Sequence, residues 1–200
     1  VIPVGKRGGC RSTPQAFIYR LMLRYARQGR CVVRLKGGDP CIFGRGGEEA
    51  QWLKARGIEV ELVNGITAGL AGATRCDIPL TLRGVARGVT LVTAHTQDDS
   101  QLNWQALAHS GTTLVIYMGV AKLAEIAEQL LGGALAADTP VAMIENASLP
   151  QQRECRSVLA NMERDAQVFA LKSPAILVIG AVAATASVTA PTSETQVQLA

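Results

Sequence analysis

Two rhythms of apolar and polar positions run along this chain. Phe17, Ile18, Leu21, Met22 and Tyr25 recur every three or four places, with Arg20, Arg24 and Arg27 on the other side. That spacing predicts an amphipathic helix. Ser12 or Thr13 suits its cap, Pro14 its first turn and Gly29 its end. Short apolar runs predict strands at Cys31–Leu35, Ile58–Val63, Val89–Thr93, Thr113–Tyr117, Val141–Glu145 and Ala175–Gly180, with a further one at Arg153–Leu159. Val1–Val4 reads as the end of another. Helices are expected from Ala50 to about Arg56, at Trp104–His109 and at Val120–Leu131. Ile66–Ala73 reads as a helix of small residues, against which either a neighbouring element or a flat ligand can pack closely. Ile78–Gly84 breaks the rhythm and is the candidate linker. From about Ala186 neither turns nor periodicity are evident, and a disordered tail is expected.

Strands alternating with helices imply an α/β fold with mostly parallel sheets. The expected division is a first domain over 1–82, a second over 83–185 and a tail over 186–200. In such sheets ligands bind beyond the carboxyl ends of strands. One such end is the glycine-rich stretch Leu35–Glu49, which leaves an apolar run and feeds a helix. Gly37 and Gly38 let backbone approach a ligand. Asp39 offers a carboxylate acceptor, Pro40 stiffens the turn, and Glu48 and Glu49 suit a helix start. Known phosphate-loop patterns fit poorly: Glu49 stands at the third glycine of G-x-G-x-x-G, and no G-x-x-x-x-G-K-[ST] occurs. Other strand ends carry Gly65–Ala68, with the hydroxyl of Thr67, then Met118-Gly119 and Asn146-Ala147. Together they suit one cleft.

Composition narrows the chemistry. The 200 residues are 48% hydrophobic, enough for a real core, yet no apolar run is long enough to span a bilayer. No signal peptide is evident. Cys10, Cys31, Cys41, Cys76 and Cys155 make an odd count without C-x-x-C spacing, and only His95 and His109 accompany them. Reduced cysteines in a cytoplasmic protein, without a metal site, follow. The net charge of +4 suits nucleic acid or a small polyanion, but aromatics at 4% leave little for base stacking. Lys6, in the basic loop Gly5–Gly9, suits anion binding or proton transfer, although a loop lysine on its own is more often solvated surface.

Val4–Gly9, Val33–Glu49, Asn64–Ala68, Ile78–Thr81 and Tyr117–Gly119 together resemble the uroporphyrinogen-III C-methyltransferase family of tetrapyrrole methylases, a module that also forms the carboxyl half of siroheme synthases. The likeness runs from Val4 to about Val182, and its L-K-G-G-D-P-x-I-F-G-R-G-G-E-E stretch is highly specific. The resemblance implies a two-domain α/β fold with S-adenosylmethionine (SAM) in the cleft between domains, and a homodimer. It implies two methyl transfers to ring carbons of uroporphyrinogen III, giving precorrin-2, in siroheme or cobalamin synthesis. By position it assigns SAM contacts to Gly37, Gly38, Asp39, Ile42, Thr67, Ala68, Met118 and Ala147, and proton donation to Lys6. Lys6, Arg7, Arg11, Arg83, Arg87 and Arg153 are candidate counter-charges for the eight substrate carboxylates. Leu82 replaces a histidine common in the family, and Ala147 a glycine. The family's first strand, its opening loop and an acidic proton acceptor would precede Val1, so the chain alone is expected to be inactive and partly unfolded in its first 80 or so residues. The rival readings are a binding-only fragment, a sister precorrin methylase and a nucleic-acid-binding domain.

Overall fold

The computed structural model describes residues 1–5, 13–95 and 102–185. The Ser12 cap, the basic loop after Gly5 and the tail from Ala186 lie outside them. Three helices come first: α1 (Gln15–Arg27), α2 (Gly46–Lys54) and α3 (Ala68–Arg75). A βα series follows, with β1 (Val89–Thr93), α4 (Trp104–Ala108), β2 (Thr113–Tyr117), α5 (Leu123–Gly132), β3 (Pro140–Glu145), β4 (Arg153–Val158), α6 (Met162–Phe169) and β5 (Ala175–Ile179).

The five strands form one sheet in the order β1-β2-β5-β3-β4. Only β1 and β2 pair in parallel; β5 runs antiparallel between β2 and β3, and β4 pairs antiparallel with β3. The expectation of mostly parallel pairing is therefore corrected for this sheet. Its physical origin is clear in the topology. β1, β2 and β3 point the same way, as helical crossovers require, but β5 inserts against the direction of its neighbours. The short β3–β4 connection allows only a hairpin.

Strand residues alternate between two buried faces. On one, Leu114, Ile116, Val141, Met143, Leu177 and Ile179 meet Leu123, Ile126 and Leu130 of α5 and Met162 and Ala166 of α6. On the other, Val115, Tyr117, Ala142, Ile144, Ile176 and Val178 meet Ala73 of α3, Cys76, Ile78 and Ala86. The helix of small residues thus packs on the sheet: a Cβ on Gly72 would stand 2.9 Å from the Ala147 side chain and 3.3 Å from Ile144. A neighbouring element, rather than a flat ligand, fills that face.

The first half departs further from expectation. Residues 1–4, 31–35 and 58–63 have no regular secondary structure and belong to no ladder among the described residues. The reading of Cys31–Leu35 as a buried strand is corrected, since Val33 is 81% exposed and Leu35 83%. Apolar composition makes a strand only where another strand accepts its hydrogen bonds. The amphipathic stripe of α1 is covered only in part: Ile18 and Met22 are buried with Leu53, while Phe17 is exposed.

Candidate functional site

The glycine-rich loop is held by its own charges. Lys36 donates from Nζ to the Gly44 carbonyl at 2.6 Å and lies 3.1 Å from Glu49 Oε2. Glu49 is buried, accepts from Gln15 Nε2 at 2.7 Å, and has Arg34 Nε at 3.6 Å. So the first turn of α2 closes back on the start of the loop, with α1 attached. Arg45 grips Glu48 through Nε and Nη2 at 2.9 and 2.6 Å, and that guanidinium holds the Glu48 carboxyl below its ordinary value.

Asp39 joins this loop to the next one. Its Oδ1 accepts from the Cys41 N–H at 2.7 Å and its Oδ2 from the Gly65 N–H at 3.2 Å. Each oxygen retains acceptor capacity beyond these bonds. Gly38, at φ +71°, lies against the backbone of Ile66, Thr67 and Ala68; a Cβ there would sit 3.5 Å from the Thr67 Cα. At Gly65 any Cβ would run into the Gly38 carbonyl, so the two loops touch backbone to backbone.

The third segment comes from the sheet. Tyr117, the last residue of β2, shares a hydrogen bond of 2.7 Å with Thr67 Oγ1, and its Oη accepts from the Gly69 N–H at 2.9 Å. Its ring lies 4.8 Å from that of Phe43, in the glycine-rich loop. Met118 follows at φ +56° and is half exposed. Ala147, after the carboxyl end of β3, packs against α3, and Ile42 packs on the same core.

Gly37, Gly38, Asp39, Ile42, Thr67, Ala68, Met118 and Ala147 thus fall on adjoining loops. Backbone strain gathers there too. Phe43, Arg45, Met118, Asn146 and Ser148 are non-glycine residues at positive φ, all in loops beside these positions. Such outliers concentrate where surrounding structure imposes them, often at functional sites. Lys6, with Arg7 and Arg11, lies outside the described residues. Of the other candidate counter-charges, Arg83 and Arg87 are exposed. Arg153 is engaged elsewhere: it bonds Glu145 at 2.7 Å and lies over the Phe169 ring.

Sequence reading placed Glu49 at a helix start, as found, and quoted Lys36 and Tyr117 only within motifs; it gave none of the three a part in the site. The alternation within β2, which puts Tyr117 on the Val115 side, was the available signal for the tyrosine. Nothing local marked the Lys36–Glu49 pair. Among the described residues no group of His, Cys, Asp and Glu is placed to hold a metal ion. Burial pushes the Cys76 thiol up to about 12, which leaves it protonated at neutral pH.

A family model described as tetrapyrrole (corrin/porphyrin) methylases matches residues 1–163. The chain is 79% identical over 183 residues to a uroporphyrinogen-III C-methyltransferase of Pseudomonas fluorescens, covering 92% of this chain and 74% of that protein. It is 46% identical over 186 residues to a siroheme synthase of Xylella fastidiosa, covering 92% of this chain but 39% of the larger protein. Among solved structures it resembles uroporphyrin-III C-methyl transferase from Thermus thermophilus complexed with S-adenyl homocysteine. That match has a TM-score of 0.74 at 37% identity and covers 84% of this chain and 74% of the other.

Proposed function

The chain belongs to the tetrapyrrole methylase family, and on that premise we propose that its three adjoining loops bind the methyl donor for uroporphyrinogen III. The activity is SAM-dependent C-methylation of uroporphyrinogen III. The observation that carries the site assignment is the meeting of Gly37–Asp39, Thr67–Ala68 and Tyr117–Met118 at the carboxyl end of β2.

The residues present fit an adenosyl ligand. A Cβ on Gly37 would meet nothing within 4 Å, so its backbone is open to a partner. Ala68 and Met118 are exposed, and Ile42 and Ala147 supply apolar surface beside them. SAM brings an activated methyl group on a sulfonium; its transfer leaves a thioether, and the accepting ring carbon, which bears a side chain and no hydrogen, becomes quaternary while the macrocycle gives up a proton at another position. The protein's part is to align donor and acceptor and to receive that proton. Gly37, Gly38, Asp39, Ile42, Thr67, Ala68, Met118 and Ala147 hold the donor of the methyl group, and Lys6 is the proton donor. Two successive transfers give precorrin-2 for siroheme or cobalamin synthesis. The basic surface serves substrate carboxylates rather than nucleic acid. The enzyme works as a homodimer in the cytoplasm, without a metal. Among the described residues no helix is long and apolar enough to cross a membrane.

Calorimetric titration of S-adenosylhomocysteine into the full gene product tests the site. Asp39→Ala frees the Cys41 and Gly65 amides and uncouples the two loops, and is expected to weaken binding by about 1–3 kcal/mol. Unchanged affinity in a folded Asp39→Ala protein overturns the assignment.

A further inference from the structure

The start of α3 lacks the cap its sequence offers. Thr67 occupies the capping position with extended backbone, φ −67° and ψ 147°, yet its side chain bonds no amide of its own helix. An unmet N–H at a buried helix start is costly. The group that meets it is Tyr117 Oη, which reaches across from β2 to the Gly69 N–H at 2.9 Å and also holds Thr67 Oγ1 at 2.7 Å. Both bonds are buried, and the Tyr117 residue is only 8% exposed.

Space around that hydroxyl is set as closely as its bonds. A Cβ on Gly69 would stand 2.5 Å from Tyr117 Oη and 2.6 Å from Val115 Cγ1, so helix and strand meet at this glycine. The tyrosine ring also contacts Phe43, at a centroid distance of 4.8 Å. One side chain therefore touches the Thr67 loop and the glycine-rich loop, while its own backbone leads into Met118.

We propose that Tyr117 is a positioning residue for the methyl donor: its hydroxyl holds Thr67 and Ala68 at a fixed place relative to Met118 and the glycine-rich loop. The inference rests on the donor-site reading above. The ring supplies packing, and the hydroxyl supplies register between elements some fifty residues apart in sequence (|i−j| of 50 and 48). Tyr117→Phe separates the two contributions, because it keeps the ring and its Phe43 contact.

The test uses the full gene product. Wild type, Tyr117→Phe, Thr67→Val and the double variant are titrated with S-adenosylhomocysteine, with KM measured for SAM and for uroporphyrinogen III. Losing the hydroxyl is expected to weaken S-adenosylhomocysteine binding about three- to tenfold. KM for SAM rises in step, while KM for uroporphyrinogen III stays unchanged. The loss in the double variant falls short of the product of the single losses, because both changes break the same bond. Amide exchange in Tyr117→Phe speeds up at Gly69 and its immediate neighbours only. Affinity within twofold of wild type, a matching rise in both KM values, or fully multiplicative losses overturn the proposal. A wild-type protein that fails to bind S-adenosylhomocysteine overturns the donor-site reading itself, and this inference with it.

Discussion

Glu145 shows how the acids of this protein serve its own frame. It is buried at the end of β3, where Arg153 Nη2 donates to it at 2.7 Å and the Lys172 N–H at 2.8 Å. The Arg153 bond, aided by the Lys172 amide, holds its carboxyl below the ordinary 4.5 against the opposing pull of burial. A depressed folded-state value means the contribution to stability is complete above the unfolded value near 4.5. It is lost as pH falls through the lower folded value. Glu145→Gln is therefore expected to lower unfolding free energy by about 2 kcal/mol near neutrality, with the gap to wild type closing in acid. Denaturant titrations across that range check it; a pH-independent gap would show that the carboxylate charge contributes nothing. At this scale the sequence was uneven in what it disclosed. Gly38's positive φ and Asp39's acceptor role were legible because backbone freedom and a carboxylate are properties of single residues. The Lys36–Glu49 pair and Arg153's attachment to Glu145 were not, because each depends on which side chains the fold brings within reach.

At the scale of elements, the second half of the chain was legible and its pairing was not. Each apolar run from Val89 to Tyr117 and from Val141 to Ile179 became a strand, since a short run that can be buried on both faces needs only local apolar content. That β5 inserts antiparallel between β2 and β3 is a choice among sheet orders, which no single run encodes. Helix α6 went unread, although Met162 and Ala166 stand four apart and both are buried. For α3 the glycines carry the message: their missing side chains are the room that the sheet occupies. Gly69→Ala inserts a methyl group against Tyr117 Oη and Val115. Overpacking of this kind costs about 1–3 kcal/mol, and here it also pushes the tyrosine away from the Gly69 amide. The expected result is a lower melting temperature together with weaker S-adenosylhomocysteine binding. A variant as stable and as tightly binding as wild type would mean that α3 and β2 are less closely joined than these distances state.

Over the whole molecule, stability is divided unequally. The sheet half has two faces covered by helices and a fully paired interior, with Val115, Ile116, Leu177 and Val178 all 0% exposed. The other half has α1 and α2 around a small cluster of Ile18, Met22 and Leu53. Its irregular segments make almost no backbone hydrogen bonds among the described residues; within 31–35 and 58–63 only the Ile58 N–H finds a backbone acceptor, at Leu53. The sequence could not reveal this, because an apolar run looks the same whether or not another strand pairs with it. Opening free energies range from near zero for unpaired backbone to the global value for core strands. If β2 and β5 open only with global unfolding, at about 5 kcal/mol or more, their amides exchange at least roughly a thousandfold more slowly than those of Val32–Leu35 and Glu59–Val63. Hydrogen exchange on the 200-residue chain, read residue by residue, measures the contrast directly. Comparable protection in the two sets would restore the strand reading of Cys31–Leu35 and Ile58–Val63. It would also make the exposed faces of Val33, Leu35 and Val63 part of a paired sheet.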